Sequence, residues 1–272
     1  MYAFTYHRPT TVRQAANLLA KHPEAKLLAG GHSLIPVMKQ RLAAPNVIVD
    51  LNKVEGIAGV EISGRSVTIG AMTRHADVAN SPVLREAMPA LAGVPGSIGD
   101  PQVRNRGTIG GSIANNDPNA DYPAACLGLG ATIVTNKRKI VADDWFTGMF
   151  STALAENEII VKVRLPLAKK AGDEEFKRRA SGFALVGVFV SKRSSDIRVA
   201  VTGAGANGVF RVKSFEEALK KRFAAKSLEG MTIPAAGMNS DIHAGADYRA
   251  HLVGVLARRA LDKANAKGDD ND

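Results

Sequence analysis

Apolar residues recur along the chain in two rhythms, and the changes between them mark its elements. Val12, Ala15, Ala16 and Leu19 fall at i, i+3, i+4 and i+7, one face of a helix. Thr11-x-x-Gln14 just ahead fits a capping box. Residues 25–28 read as a short buried strand. After Gly30-Gly31, residues 33–42 read as a helix with Pro36 in its first turn, where proline is tolerated. Residues 47–51 supply the next strand. Strand, glycine turn, helix and strand over 25–51 predict a small βαβ unit with an anion site at its turn.

Further on, residues 61–63 and 66–69 predict a hairpin about Gly64-Arg65. Thr73 is placed to cap a short helix. Ser81-Pro82 opens a longer one, with Leu84, Ala87, Met88 and Leu91 on its buried face and Gly93 at its end. A helix over 121–127, a hairpin of 131–135 with 138–142, and a short helix holding Trp145 follow. A strand over 158–165 is stopped by Pro166. The charged stretch 167–174 predicts a domain boundary near residue 170. Beyond it, 175–180, 184–191 and 196–202 read as strands. Ser214-x-x-Glu217 reads as the capping box of a helix over 215–223, and 247–266 as a last helix. Residues 267–272 read as a disordered polar tail.

Composition narrows the function classes. Of 272 residues, 45% are hydrophobic, enough to bury a full core, while 5% aromatics argue against a lectin-like surface. The longest apolar run is far short of a membrane span. No charged-then-apolar leader opens the sequence, from which a cytoplasmic protein is expected. The single cysteine, Cys126, excludes a disulfide framework and leaves an iron–sulfur or cysteine–zinc site without ligands on this chain. Cys126 itself, set among alanines and leucine, reads as a buried thiol. A net charge of +10 admits nucleic acid, an anionic membrane face or an acidic partner. The basic residues come in short runs such as Lys177-Arg178-Arg179 and Lys220-Lys221-Arg222, without the interleaved aromatics of a single-strand binder. They read as solvated faces with a docking surface.

The chemistry concentrates in two glycine-rich stretches. One runs from Arg104 through Thr108-Ile109-Gly110-Gly111-Ser112 to Asp121, and the other is Ala29-Gly30-Gly31-His32-Ser33-Leu34. Glycine pairs let a backbone approach closely, and hydroxyls flank them. Facing each other, the two would form a cradle of N–H groups for a diphosphate. Ser33 fits a hydroxyl donor to phosphate better than a nucleophile, because Gly31-x-Ser33 lacks the closing glycine of G-x-S-x-G. Asp121 is placed either to accept from ribose hydroxyls or to cap a helix. His32 lies in the candidate site, with packing or capping an equal alternative. Gly203-x-Gly205-x-x-Gly208 matches a dinucleotide fingerprint in spelling only, because another strand follows it, not a helix; it reads as a hairpin turn. No histidine pair has i, i+4 spacing and no H-E-x-x-H occurs, so no metal site is expected.

Both glycine stretches in this order, with Ile69-Gly70-Ala71-Met72-Thr73-Arg74-His75 and Gly99-Asp100-Pro101-Gln102-Val103-Arg104-Asn105-Arg106-Gly107, resemble the FAD-binding medium subunits of molybdenum hydroxylases. Within that family the likeness is nearest to aerobic carbon monoxide dehydrogenases, and it includes the flavin domain of xanthine dehydrogenase. The resemblance implies an α+β fold of the vanillyl-alcohol-oxidase (PCMH) type. Two α/β subdomains, 1–56 and 57–170, would hold FAD, and 171–272 would form a C-terminal domain with a three-stranded antiparallel sheet and helices. It implies that residues 29–34 and 108–112 bind the diphosphate and nearby flavin, and that Asp121 holds the ribose. By the same likeness Ile160 packs near the adenine or flavin, and Arg178 lies by the isoalloxazine, with Lys177 and Arg179 as neighbouring candidates. The implied role is electron transfer. Iron–sulfur clusters on a small subunit would pass electrons from a molybdopterin large subunit to FAD here, and FAD would deliver them to quinone or NAD. A heterohexamer, and contact with the inner membrane face, are compatible with that role. No residue of this chain is implied to be catalytic. Two other readings stand beside it. A self-contained flavin oxidase would need His32 or His75 as acid–base group, and a basic nucleic-acid module would show salt-sensitive binding.

Overall fold

The computed structural model describes residues 1–266; the expected polar tail, 267–272, lies outside the described residues. The first unit holds β1 (Thr5–His7), α1 (Val12–Lys21), β2 (Lys26–Leu28), α2 (Leu34–Lys39) and β3 (Val47–Asp50). Its three strands are parallel in the order β1-β3-β2. Thr11 caps α1 by accepting from the Gln14 N–H, and Gln14 reaches back to the Thr10 N–H at 2.9 Å, so the box closes one residue early. α2 is shorter than its sequence pattern, ending at Lys39. Ala15, Leu19, Val47 and Val49 seal a small core between α1 and the sheet.

The second unit begins with β4 (Val60–Ser63) and β5 (Ser66–Gly70). Five short helices follow: α3 (His75–Ala79), α4 (Pro82–Ala87), α5 (Pro89–Gly96), α6 (Pro101–Arg104) and α7 (Ile109–Asn115). α8 (Asp121–Leu129), β6 (Thr132–Thr135), β7 (Lys139–Val141), α9 (Ala142–Trp145), β8 (Phe146–Gly148), β9 (Ser151–Thr152) and β10 (Ile160–Pro166) complete it. Its main sheet is antiparallel in the order β4-β5-β10-β6-β7. Three expectations change here. Thr73 caps nothing; its hydroxyl is spent on the Gly70 carbonyl at 2.7 Å and on Gly59. The helix opened by Ser81-Pro82 breaks at Met88, because Pro89 cannot continue it and starts α5 afresh. Part of the glycine-rich stretch is helical, as α7, with Thr108 as its cap. Trp145, Tyr122, Ile109 and Ile113 are fully buried in the core beneath, each such side chain contributing about 1.5–3 kcal/mol.

The last unit is an antiparallel sheet in the order β11-β12-β13-β14, where β11 is Lys170–Lys177, β12 Ala184–Arg193, β13 Asp196–Thr202 and β14 Phe210–Arg211. The second and third long strands fall where expected, the first is shifted from 175–180 to 170–177, and β14 adds two residues at the edge. The charged stretch at 170–174 is not a linker but the start of β11, an edge strand, where charge is well tolerated. β12 is buried on both faces. Phe189 joins the core under α8, while Val186, Val188 and Val190 face α11 (Ala246–Asn265). The helix α10 (Lys213–Lys221) starts one residue before Ser214, which therefore caps nothing. Glu216, buried beneath it, pairs with Arg211 at 2.7 Å and accepts from the Val199 N–H. Among the described residues no helix is long and apolar enough to cross a membrane.

Candidate functional site

The two glycine stretches meet. The turn between β2 and α2 brings the Gly30 α-carbon so near the second stretch that a Cβ on it would stand 2.7 Å from Gly107 Cα and closer still to the Arg106 carbonyl oxygen. A Cβ on Gly111 would lie 3.6 Å from Ala29 Cβ. Behind the junction, the His75 N–H donates to the Gly107 carbonyl at 2.9 Å and the His75 imidazole packs against Gly107. His75 is 5% exposed, and burial, with His32 nearby, pushes its pKa down to about 4, so it is neutral at physiological pH.

The turn is equipped for an anion. Among the described residues, no protein group accepts from the backbone N–H of Gly30, Gly31, His32 or Ser33, four successive donors. Gly31 is in the left-handed region, at φ +82°, which gives the turn its concavity. The His32 and Ser33 side chains are exposed, and the Ser33 hydroxyl caps no helix N–H. Leu34 opens α2.

The second stretch contributes differently from expectation. The amides of Ile109 and Gly110 are spent on the carbonyls of Thr73 and Ala71, that of Gly111 on the Thr108 hydroxyl, and that of Ser112 on the Thr108 carbonyl. What it leaves open to a ligand is the partly exposed Gly111 and Ser112 with the Ser112 hydroxyl, since Gly107 to Gly110 are buried. The reason for two glycines also changes. Gly110 is required by the Ala71 carbonyl, 2.6 Å from where its Cβ would stand, and Gly31 by its backbone angle and by Ile35.

The remaining candidates are held by other parts of the chain, and no contact joins Asp121 or Arg178 to the 29–34 turn among the described residues. Ile109 and Ile160, 0% and 6% exposed, belong to the core below. Asp121 is the first residue of α8, with Ala120 in the cap position, so the capping alternative falls. Its carboxyl is held well above the usual range by burial and by the nearby Glu175 and Asp173. The loop between α7 and α8 is pinned from the last sheet. Thr202 donates to the Pro118 and Ala120 carbonyls at 3.1 and 2.6 Å, and the Gly203 N–H to Pro118 at 2.8 Å.

Of the three neighbouring cations, Lys177 is engaged with Glu175 at 3.1 Å and with the Ser97 carbonyl, and Arg179 is exposed. Arg178 faces Asn119 of that loop, Nη2 to carboxamide oxygen 3.3 Å once the amide is oriented to satisfy both its neighbours. Arg178 Nε is buried with no partner among the described residues. Sequence reading missed Asn52, whose carboxamide donates to the Ala29 carbonyl at 3.0 Å. It follows β3 in an unremarked Asp-Leu-Asn, and nothing in its local pattern marks it.

An α+β chain whose glycine turn presents free amides beside a second glycine-lined wall is a nucleotide-cofactor protein. Residues 2–168 match the family of FAD-binding domains in molybdopterin dehydrogenases, and the chain belongs to that family. Its relatives include the carbon monoxide dehydrogenase medium chain of Hydrogenophaga pseudoflava, 37% identical over 97% of this chain and 98% of that one. The nicotine 6-hydroxylase medium subunit of Paenarthrobacter nicotinovorans is 38% identical over the same shares. A solved carbon monoxide dehydrogenase from Hydrogenophaga pseudoflava superposes with a TM-score of 0.86 at 37% identity, covering 97% of both chains. The protein is thus the FAD-binding subunit of a molybdenum oxidoreductase of the carbon monoxide dehydrogenase and xanthine dehydrogenase type.

Proposed function

We propose that this subunit collects electrons on FAD from iron–sulfur clusters of a small partner, which a molybdopterin-bearing large partner supplies, and passes them to an external acceptor, quinone or NAD. The observation that carries the reading is the run of four free amides at 30–33 beside Gly111 and Ser112, a set of donors suited to an anion such as a diphosphate. The residues fit FAD. The 30–33 amides and the Ser33 and Ser112 hydroxyls would hold its phosphates, Asp121 its ribose, and Arg178 would sit by its ring system, with Ile160 packed beneath. When bound, the flavin supplies the change between one- and two-electron steps, while the chain binds, orients and tunes it. The lone cysteine is buried in the core, so the clusters belong to a partner. Two relatives at 37% and 38% identity differ in the substrates their names carry, which accords with a substrate site on the large partner.

We read residues 1–170 as the FAD-binding part, divided after residue 56, and the rest as a C-terminal domain. A self-contained oxidase is disfavoured by the placement of its two candidate bases, His75 sealed behind Gly107 and His32 exposed. The reading is tested on the purified complex under anaerobic conditions by rapid mixing with its reducing substrate. Cluster bleaching is expected to precede flavin bleaching, and added acceptor to restore the flavin colour first. A flavin that stays oxidised while the clusters are reduced overturns it.

A further inference from the structure

The 29–34 turn is held from behind by a side-chain relay outside the residues considered so far for cofactor contact. Asn52 Nδ2 donates to the Ala29 carbonyl at 3.0 Å and to Asp50 Oδ1 at 2.6 Å. The Asn52 backbone N–H adds a second bond to Asp50 Oδ1 at 2.8 Å. The other oxygen of Asp50 accepts from the Tyr6 hydroxyl, and Arg8 Nε stands 3.7 Å away. Asp50 is 5% exposed. Burial works against its charge, but the Tyr6 hydroxyl and the two Asn52 donors prevail and hold its carboxyl below the usual range. Both groups that face the Asn52 amide nitrogen are acceptors, so the carboxamide has one permitted orientation.

The geometry has a directional consequence. The 29–30 peptide is trans, so its C=O and N–H point opposite ways. Drawing the Ala29 carbonyl toward Asn52 turns the Gly30 N–H away from β3, where no protein group takes it. We propose that Asn52 is a positioning residue of the cofactor cradle: its carboxamide fixes the 29–30 peptide plane and so aims the Gly30 N–H at the diphosphate, with Asp50 locking the carboxamide the right way round. This role rests on the reading that the turn holds the FAD diphosphate.

Three substitutions separate aim from mere support. Asn52 is only partly buried, so its variants are expected to fold, which far-ultraviolet circular dichroism checks at each pH. Asn52→Asp places a second carboxyl beside Asp50, and two carboxyls so close cannot both ionise easily. The other titratable groups facing this point are Tyr6 and Arg8, both of which meet Asp50. At pH 5 the new acid keeps a proton to donate to the Ala29 carbonyl; at pH 8.5 it has none and repels it. FAD titrations of the apoprotein are expected to give a Kd within about threefold of wild type at pH 5 and about tenfold or more weaker at pH 8.5. Asn52→Leu, lacking the donor at every pH, is expected to weaken FAD by a constant factor of about three to ten. Asp50→Asn removes the lock and should weaken binding without the pH dependence. The phosphorus resonances of bound FAD should move with pH in Asn52→Asp more than in wild type. A ratio of Asn52→Asp to wild type that is flat with pH, or wild-type affinity in Asn52→Leu, overturns the positioning role and leaves the cradle standing. Wild-type protein that takes up no FAD removes both.

Discussion

Gly30→Ala is the sharpest perturbation of the cradle. Gly30 is not in the left-handed region, so alanine can adopt its backbone and the cost is one of space. The added methyl would stand 2.7 Å from Gly107 Cα and 2.8 Å from the Arg106 carbonyl carbon. Carbon atoms rest at about 3.5–4.0 Å, so the strands of the junction must part by roughly 1 Å. Gly107 cannot retreat, because His75 Nε2 already occupies the space behind it, 2.5 Å from where a Gly107 Cβ would lie. The 29–34 turn has to move, and its free amides move with it. Overpacking of this kind costs about 1–3 kcal/mol of stability. Losing one charge-assisted hydrogen bond to phosphate costs about 1.5–3 kcal/mol more in binding, roughly 10- to 150-fold in Kd. Titration of the apoprotein with FAD, followed by flavin fluorescence, reads the affinity, and a urea melt reads the fold. Gly93→Ala is the control. It lies in α5 with nothing within 4 Å of a new Cβ, so it should leave FAD affinity alone and add about 0.5–1 kcal/mol of stability. A Gly30→Ala protein that binds FAD like wild type would refute the facing-turn geometry.

Other sites give independent tests. Gly172→Ala in β11 drives a methyl into the Ala260 carbonyl of α11, and is expected to lower the unfolding free energy read from urea melts by about 1–3 kcal/mol; an unchanged midpoint would mean that strand and helix can separate freely. His75 has a folded pKa of about 4 against an unfolded 6.5, so between those values the unfolded chain takes up a proton the folded one refuses. Stability should therefore fall as pH drops through that window, by up to about 3 kcal/mol, and His75→Leu should flatten that part of the profile measured by urea melts. Arg178→Gln removes the cation proposed beside the flavin. The two-electron potential of the bound flavin should fall by about 30 mV if one charge-assisted bond of about 1.4 kcal/mol is lost, and a potential identical to wild type would transfer the role to another residue.

Much of this was legible in the sequence where local rules act alone. The apolar face of α1 and its Thr11 cap, the parallel unit around Gly30-Gly31, and the hairpin about Gly64-Arg65 needed only periodicity and turn chemistry. The rule that failed at Ser214 was also local, but Arg211, Lys213 and buried Glu216 settle that helix start by ion pairs the spelling does not display. Charge at 170–174 looked like a linker because an edge strand tolerates what a linker does. Asn52 and His75 were illegible as support for the site. Asn52 touches Ala29 twenty-three residues away and His75 touches Gly107 thirty-two residues away, and one sequence carries no trace of such pairings. The distribution of free amides was likewise unreadable. Ala71 and Thr73 consume the amides of the second stretch, and only the folded chain puts them there.

The hydrogen bonds from Thr202 and Gly203 to the loop between α7 and α8 carry a further consequence. A chain cut after β10 would retain both glycine-lined turns but lose the bonds that Thr202, Gly203, Arg178 and Ala184 make to this loop. The segment leading into Asp121 would be released, while the 29–34 turn, tied by Asn52 to the chain just after β3, would keep that bond. Under the proposed ribose role of Asp121, full hold on the cofactor would then depend on strands made in the final third of the chain.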